Sequence, residues 1–136
     1  MFKKSDNHLV SLNIGKKSLI IKWLDEMQIE DYFINDDYTI DVNSSVDLRS
    51  KNLINFPNYI QFKNIQGVFY CSDNELISLK GCPNYVDGAF TCRNNMLNSL
   101  NGCPDIVQGW FDCSSNKTKF TINDVHKLCN CQSVFV

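Results

Sequence analysis

The chain has 136 residues, 43% of them hydrophobic and 21% charged, which fits one globular domain able to bury a real core. A formal net charge of −2 lacks the basic excess that marks nucleic-acid binding. No stretch reaches the ~18 apolar residues that a membrane span needs.

The opening Met1-Phe2-Lys3-Lys4-Ser5-Asp6 lacks the apolar core of a secretory signal, so a cytoplasmic location is expected. Leu9-Val10-Ser11-Leu12-Asn13-Ile14 alternates like a strand that Gly15 ends. From Ser18 onward Leu19, Ile20, Trp23, Leu24 and Met27 fall on one face of a helix of about three turns. Tyr32-Phe33-Ile34 and Tyr38-Thr39-Ile40-Asp41-Val42, joined at Asn35-Asp36-Asp37, predict a tight hairpin. Residues 1–45 together would cap one end of whatever follows. From Asp25 through Leu48 there are eight acidic residues and no Lys or Arg. Such a run is ordinarily a solvated face. The alternative is a docking surface for a basic partner, with Asp31, Asp36, Asp37 and Asp41 as its candidates.

Internal repetition decides the fold. Gln66–Val86 reads QGVFYCSDNELISLKGCPNYV, and the next 21 residues, Asp87–Val107, read DGAFTCRNNMLNSLNGCPDIV without a gap. A further unit opens in phase as QGWFDCSSNKTKF from Gln108. Gly67/Gly88/Gly109, Phe69/Phe90/Phe111, Cys71/Cys92/Cys113 and Asn74/Asn95/Asn116 form identity columns. Upstream, Val46, Leu48, Leu53 and Phe56 keep the spacing in degenerate form. Phe-x-Cys has period two, so both side chains face one side of a short strand. The Asn that follows has an amide able to donate and accept where the chain turns. Leu76 and Leu79, with Leu97 and Leu100, fill the return path, and Gly81-Cys82-Pro83 and Gly102-Cys103-Pro104 mark the next corner. A coil of 21 residues is too short for a full helix on its convex side, so extended or polyproline-like backbone is expected there. After residue 120 a near capping box, Thr121 with Asp124, predicts a short helix with Ile122, Val125 and Leu128 as its apolar stripe. Ser133-Val134-Phe135-Val136 would be a final extended segment.

The string F-x-C-x-x-N-x-L-x-x-L resembles the leucine-rich-repeat core, with Phe and Cys in place of two leucines. The fuller G-x-F-x-C-x-x-N-x-L-x-S-L-x-G-C-P-x-x-V is similar to repeats of leucine-rich-repeat-like proteins encoded by tailed phages and some bacteria. The resemblance covers about residues 46–120. It implies an α+β, mostly β fold: a short right-handed solenoid of about four parallel rungs, with a helix and hairpin cap before it and a helical cap at 121–136. It specifies no activity, because solenoids are scaffolds for binding.

The cysteines stand in two columns, Cys71/Cys92/Cys113 and Cys82/Cys103, at positions the repeat gives to aliphatic residues. Burial as packing is the expected role, with disulfides or metal as alternatives. Cys113, His126, Cys129 and Cys131 are zinc-type ligands, but Cys-x-Cys matches zinc spacing poorly. Neither a metal nor another cofactor is therefore expected. Enzyme motifs are thin: His8 and His126 are the two histidines, and no phosphate loop, nucleophile elbow or metal-type His pair is present. A nucleophile pair of Cys129 with His126 would lack an orienting group. The chain is expected not to be an enzyme.

If Phe69 and Cys71 point inward, their neighbours point out, in columns Ser45/Val68/Ala89/Trp110, Asp47/Tyr70/Thr91/Asp112 and Arg49/Ser72/Arg93/Ser114. Trp, Tyr and Arg are the types enriched at binding hot spots. Trp110, Tyr70, Arg93, Arg49, Asp112, Asp47 and Val68 are accordingly the candidate protein-binding residues, unless the C-terminal segment covers Trp110. The expected function is a small protein-binding module acting on a host protein, with neither nucleic acid nor membrane as partner. By analogy with small phage proteins it would inhibit a host defence or regulatory protein in the host cytoplasm. The alternatives are a structural or self-associating protein, such as a homodimer, and a zinc-stabilised regulator.

Overall fold

The computed structural model describes the backbone of residues 4–136 and the side chains from Gly15 onward. Met1-Phe2-Lys3 and the side chain of His8 lie outside the described residues. Repetition with a period of 21 residues becomes stacking. The strands are β1 (Tyr32–Ile34), β2 (Ile40–Val42), β3 (Val46–Asp47), β4 (Phe62–Ile65), β5 (Phe69–Tyr70), β6 (Tyr85–Val86), β7 (Phe90–Thr91), β8 (Ile106–Val107), β9 (Trp110–Asp112) and β10 (Ser133–Phe135). They form two five-stranded sheets, the first ordered β1-β2-β4-β6-β8 and the second β10-β9-β7-β5-β3. Every neighbouring pair is parallel except β1 with β2. The result is a parallel β-solenoid of about 5 turns.

The columns of the sequence are the register of the second sheet. Val46, Phe69, Phe90 and Phe111 stand opposite one another, and Val134 of β10 extends the column by a rung. Phe69, Phe90 and Phe111 are fully buried, with successive ring centroids 5.9 and 5.1 Å apart. Phe62 joins from β4, 5.2 Å from Phe69. This aromatic spine is the axis of the core.

Asn74, Asn95 and Asn116 form a second ladder that closes the corner after each strand. The Asn95 amide donates to the carbonyls of Cys71 and Cys92, both at 3.0 Å, and its Oδ1 accepts from the Leu76 N–H at 3.0 Å. Asn74 repeats the pattern one rung earlier with Leu48, Cys71, Lys51 and Leu53, and Asn116 one rung later with Cys92, Cys113 and Leu97. Each amide therefore ties two rungs together. Just before each Asn the chain passes through left-handed backbone, at Asp73 (φ 57), Asn94 (φ 55) and Ser115 (φ 56). Asp and Asn tolerate that region better than most side chains. The other column glycines serve close approach: a Cβ on Gly88 would lie 2.9 Å from the Gly67 carbonyl oxygen, so only glycine lets the rungs meet there.

Three expectations need correction. Leu9–Ile14 is not a strand, because helix α1 runs unbroken over Lys4–Glu26. Leu9 with Leu12, and Val10 with Ile14, fit helical spacing as well as alternation, and one Gly in a helix costs only about 1 kcal/mol. Secondly, the convex-side backbone is extended as expected, but it pairs into the first sheet. Thirdly, helix α2 (Ile122–His126) buries only Val125, while Ile122 and Leu128 are exposed. A single turn turns one residue inward, and Phe120 just before it is buried.

The caps follow local chemistry. Helix α1 ends in a Schellman turn, with Ile29 N–H donating to Leu24 C=O at 2.9 Å and Gln28 at φ 59. Ile20, Trp23 and Leu24 are buried against the first rung, Trp23 meeting Phe56 edge-on at 6.2 Å. Thr121 and Asp124 form the capping box of α2 by reciprocal bonds of 3.1 and 2.8 Å. No described helix is long and apolar enough to cross a membrane.

Cys71, Cys92 and Cys113 are buried in the interior column, and all seven cysteines are free thiols. Burial raises their pKa values, Cys103 and Cys113 to about 12, so they sit in the core as neutral small hydrophobes. Cys92→Ala is expected to cost about 1–2 kcal/mol in urea unfolding, with no change under reductant. A large loss of stability on adding reductant to the unmodified chain would contradict this.

Candidate protein-binding face

The outer surface of the second sheet is built by alternation. Since Phe69, Phe90 and Phe111 face the core, the residues between them face away. The first outward column runs Ser45, Val68, Ala89, Trp110, and the register adds Ser133 beside Trp110. Trp110 is 49% exposed, so neither β10 nor α2 covers it. Ala89 is buried at 2%, flanked in its column by Val68 and Trp110. The second column runs Asp47, Tyr70, Thr91, Asp112 and ends in Phe135, which is 55% exposed. Phe135 is therefore a member of the face that sequence reasoning missed. Its segment was legible as extended, but with no repeat signature its register was not.

At the other end of the same face the side chains are already paired. Arg49 grips Asp47 with two bonds, Nε to Oδ1 at 2.9 Å and Nη2 to Oδ2 at 2.8 Å. Its guanidinium lies 4.3 Å over the Tyr70 ring. The Arg49 hydrogen bond lowers the Asp47 pKa, so the pair stays charged over the whole neutral range. Asp47, Arg49 and Tyr70 thus form one ordered unit. Asp112 accepts from the Ser114 hydroxyl at 2.6 Å and its N–H at 3.0 Å, which stiffens the turn after β9. Arg93 is exposed on the rung between. Ser72, expected to point outward, is buried, and its carbonyl accepts from the Asn74 amide as the strand ends.

The acidic candidates lie on the other sheet. Asp31, Asp36 and Asp37 are exposed around β1, the edge strand of the first sheet. Asp37 accepts from the Thr39 hydroxyl and N–H, which lower its pKa. Asp41 is a fold residue: Oδ1 accepts from both nitrogens of Asn64 at 3.1 Å, and Oδ2 from the Asn35 amide at 3.2 Å. The acidic hairpin and Trp110 therefore belong to different sheets.

The cysteine and histidine candidates are only partly brought together. Cys129 and Cys131 face each other under the cap, and Cys113 is in its interior column, but His126 points outward and is exposed. Among the described residues no group of three or more His, Cys, Asp or Glu side chains could hold a metal ion. His126 is exposed and Cys129 is buried. An open groove of about 640 Å³ runs past Lys80, Asn84, Asn101 and Asp105. It holds no aromatic side chain. Comparison with protein-family models, with curated proteins and with solved structures finds no match to this chain.

Proposed function

We propose that the chain is a small, non-enzymatic protein-binding module whose contact surface is the outer face of the second sheet. One observation carries the reading: Trp110 and Phe135, 49% and 55% exposed, stand on adjacent strands of a sheet whose other face is a continuous buried spine. Large aromatics left in solvent on a rigid support commonly mark an interface, because they bury much area at little entropic cost. Tyr70 under Arg49, with exposed Arg93 between, extends the same face with the residue types that anchor contacts.

The repeat's resemblance to leucine-rich-repeat-like proteins of phages supports a finer version of the proposal. In it the module acts in the host cytoplasm and inhibits a host defence or regulatory protein. The test is surface-plasmon kinetics against a partner recovered from host lysate. Trp110→Ala is expected to weaken affinity by at least about 2 kcal/mol, roughly 30-fold, while melting stays unchanged. Normal binding by this variant would remove the face from the account.

A further inference from the structure

The repeat contains two places where an acidic or amide side chain directly precedes glycine, Asp87–Gly88 and Asn101–Gly102, the latter the sole Asn-Gly pair in the sequence. Such a pair can rearrange on itself, because glycine has no Cβ to shield its nitrogen from the neighbouring Cγ. The fold decides whether that nitrogen is available. At Gly88 it is held: the N–H donates across the rungs to Gly67 C=O at 2.9 Å, and Gly88 C=O accepts from Gly109 N–H at 2.9 Å. At Gly102 it is not. Asn101 N–H donates to Ser99 Oγ and Cys103 N–H to Leu100 C=O, both at 3.0 Å. The Gly102 N–H between them meets no acceptor among the described residues, and the Asn101 side-chain amide makes no hydrogen bond there either.

Position in the repeat accounts for the difference. One rung earlier the same corner is Lys80–Gly81, and Gly81 is buried. Asn101–Gly102 stands on the last such corner, after which the chain leaves the repeat, and both residues are exposed. Gly102 has φ 92, and the bond from Cys103 to Leu100 closes a turn with this glycine in third place. Swinging the Gly102 nitrogen toward Asn101 Cγ costs that one surface hydrogen bond. Freeing the Gly88 nitrogen instead means parting two stacked rungs.

We propose that Asn101–Gly102 is a site of self-modification. The Gly102 nitrogen gives its proton to base and bonds to Asn101 Cγ. The Cγ–Nδ2 bond breaks, ammonia leaves, and a succinimide closes. Water then adds to one of the two imide carbonyls. Addition at Cγ breaks the new bond and leaves aspartate at position 101. Addition at the main-chain carbonyl leaves isoaspartate, with the chain rerouted through Cγ. Either product adds a carboxylate to the groove that Lys80, Asn84 and Asp105 line, where an uncharged amide stood.

Incubation of the folded chain in mildly alkaline buffer, followed by anion exchange and peptide mass spectrometry, tests this. Asn101 is expected to convert before every other asparagine, giving a more acidic species and an isoaspartate that an isoaspartyl methyltransferase labels from S-adenosylmethionine. Its rate in the folded chain should lie within about tenfold of that in urea, since one exposed hydrogen bond is all the fold sets against it. Isomerisation at Asp87–Gly88 should be suppressed by folding at least about tenfold more strongly, because opening interior rungs approaches global unfolding. Asn101→Lys, which copies the Lys80 corner, should fold and lose the leading acidic species. Protection of Asn101 by folding beyond about a hundredfold overturns the proposal. So does equal suppression at the two glycines, or a leading acidic species that persists in Asn101→Lys.

Discussion

Phe90→Ala is expected to lower the unfolding free energy by about 3–5 kcal/mol in urea titration, the largest single-residue effect in the chain. Phe90 has no exposed area and sits mid-spine, its ring 5.9 Å from Phe69 on one side and 5.1 Å from Phe111 on the other. Truncation removes contacts at both of the interfaces its rung makes. A rung touches only its neighbours, so no distant packing can compensate. Collapse into the space is also restricted, because the backbone above and below is pinned by the glycine column and the asparagine ladder. A loss under about 1.5 kcal/mol would mean that the spine is not close-packed.

Asn95→Ala is expected to cost about 3 kcal/mol or more, although it removes little volume. The amide is 4% exposed and serves the carbonyls of Cys71 and Cys92 and the N–H of Leu76. Alanine leaves those buried backbone groups without partners, each worth about 1–3 kcal/mol when stranded. Asn95→Asp should be no milder, since it keeps the acceptor for Leu76 but sets a carboxylate against carbonyl oxygens. Exposed Asn98, three residues on, is the control, and its alanine variant should stay within about 0.5 kcal/mol. Equal effects at Asn95 and Asn98 would show that the ladder does not bind the rungs together.

Both effects arise from columns that are visible in the sequence, and the reason is physical. When a short unit repeats in phase, parallel stacking places identical positions in contact, so identity columns are also contact columns. Phe69 over Phe90 and Asn74 over Asn95 could therefore be read directly. What broke the repeat could not. The helix over Leu9–Ile14 obeys two periodicities at once, and only burial of Ile20, Trp23 and Leu24 against the first rung shows which element the cap needs. The first sheet hid in strands of two to four residues, too short for alternation to register. Trp110 was legible as an outward residue, but its exposure depended on where the unrepeated tail went. That tail forms β10 alongside it and adds Phe135 to the face. Asp41 looked like part of an acidic surface because a hydrogen bond to Asn64, 23 residues away, leaves no local trace.

If the second sheet holds an indole in solvent for a partner, fluorescence of a single-tryptophan chain will report it. Trp23 is buried where α1 packs on Phe56, so Trp23→Phe leaves Trp110 as the sole emitter with the aromatic contact largely kept. Red-shifted emission that iodide quenches readily is expected in the free protein, and a blue shift with protection from iodide when the partner is added. Blue-shifted emission inaccessible to iodide in the free, folded chain would contradict it.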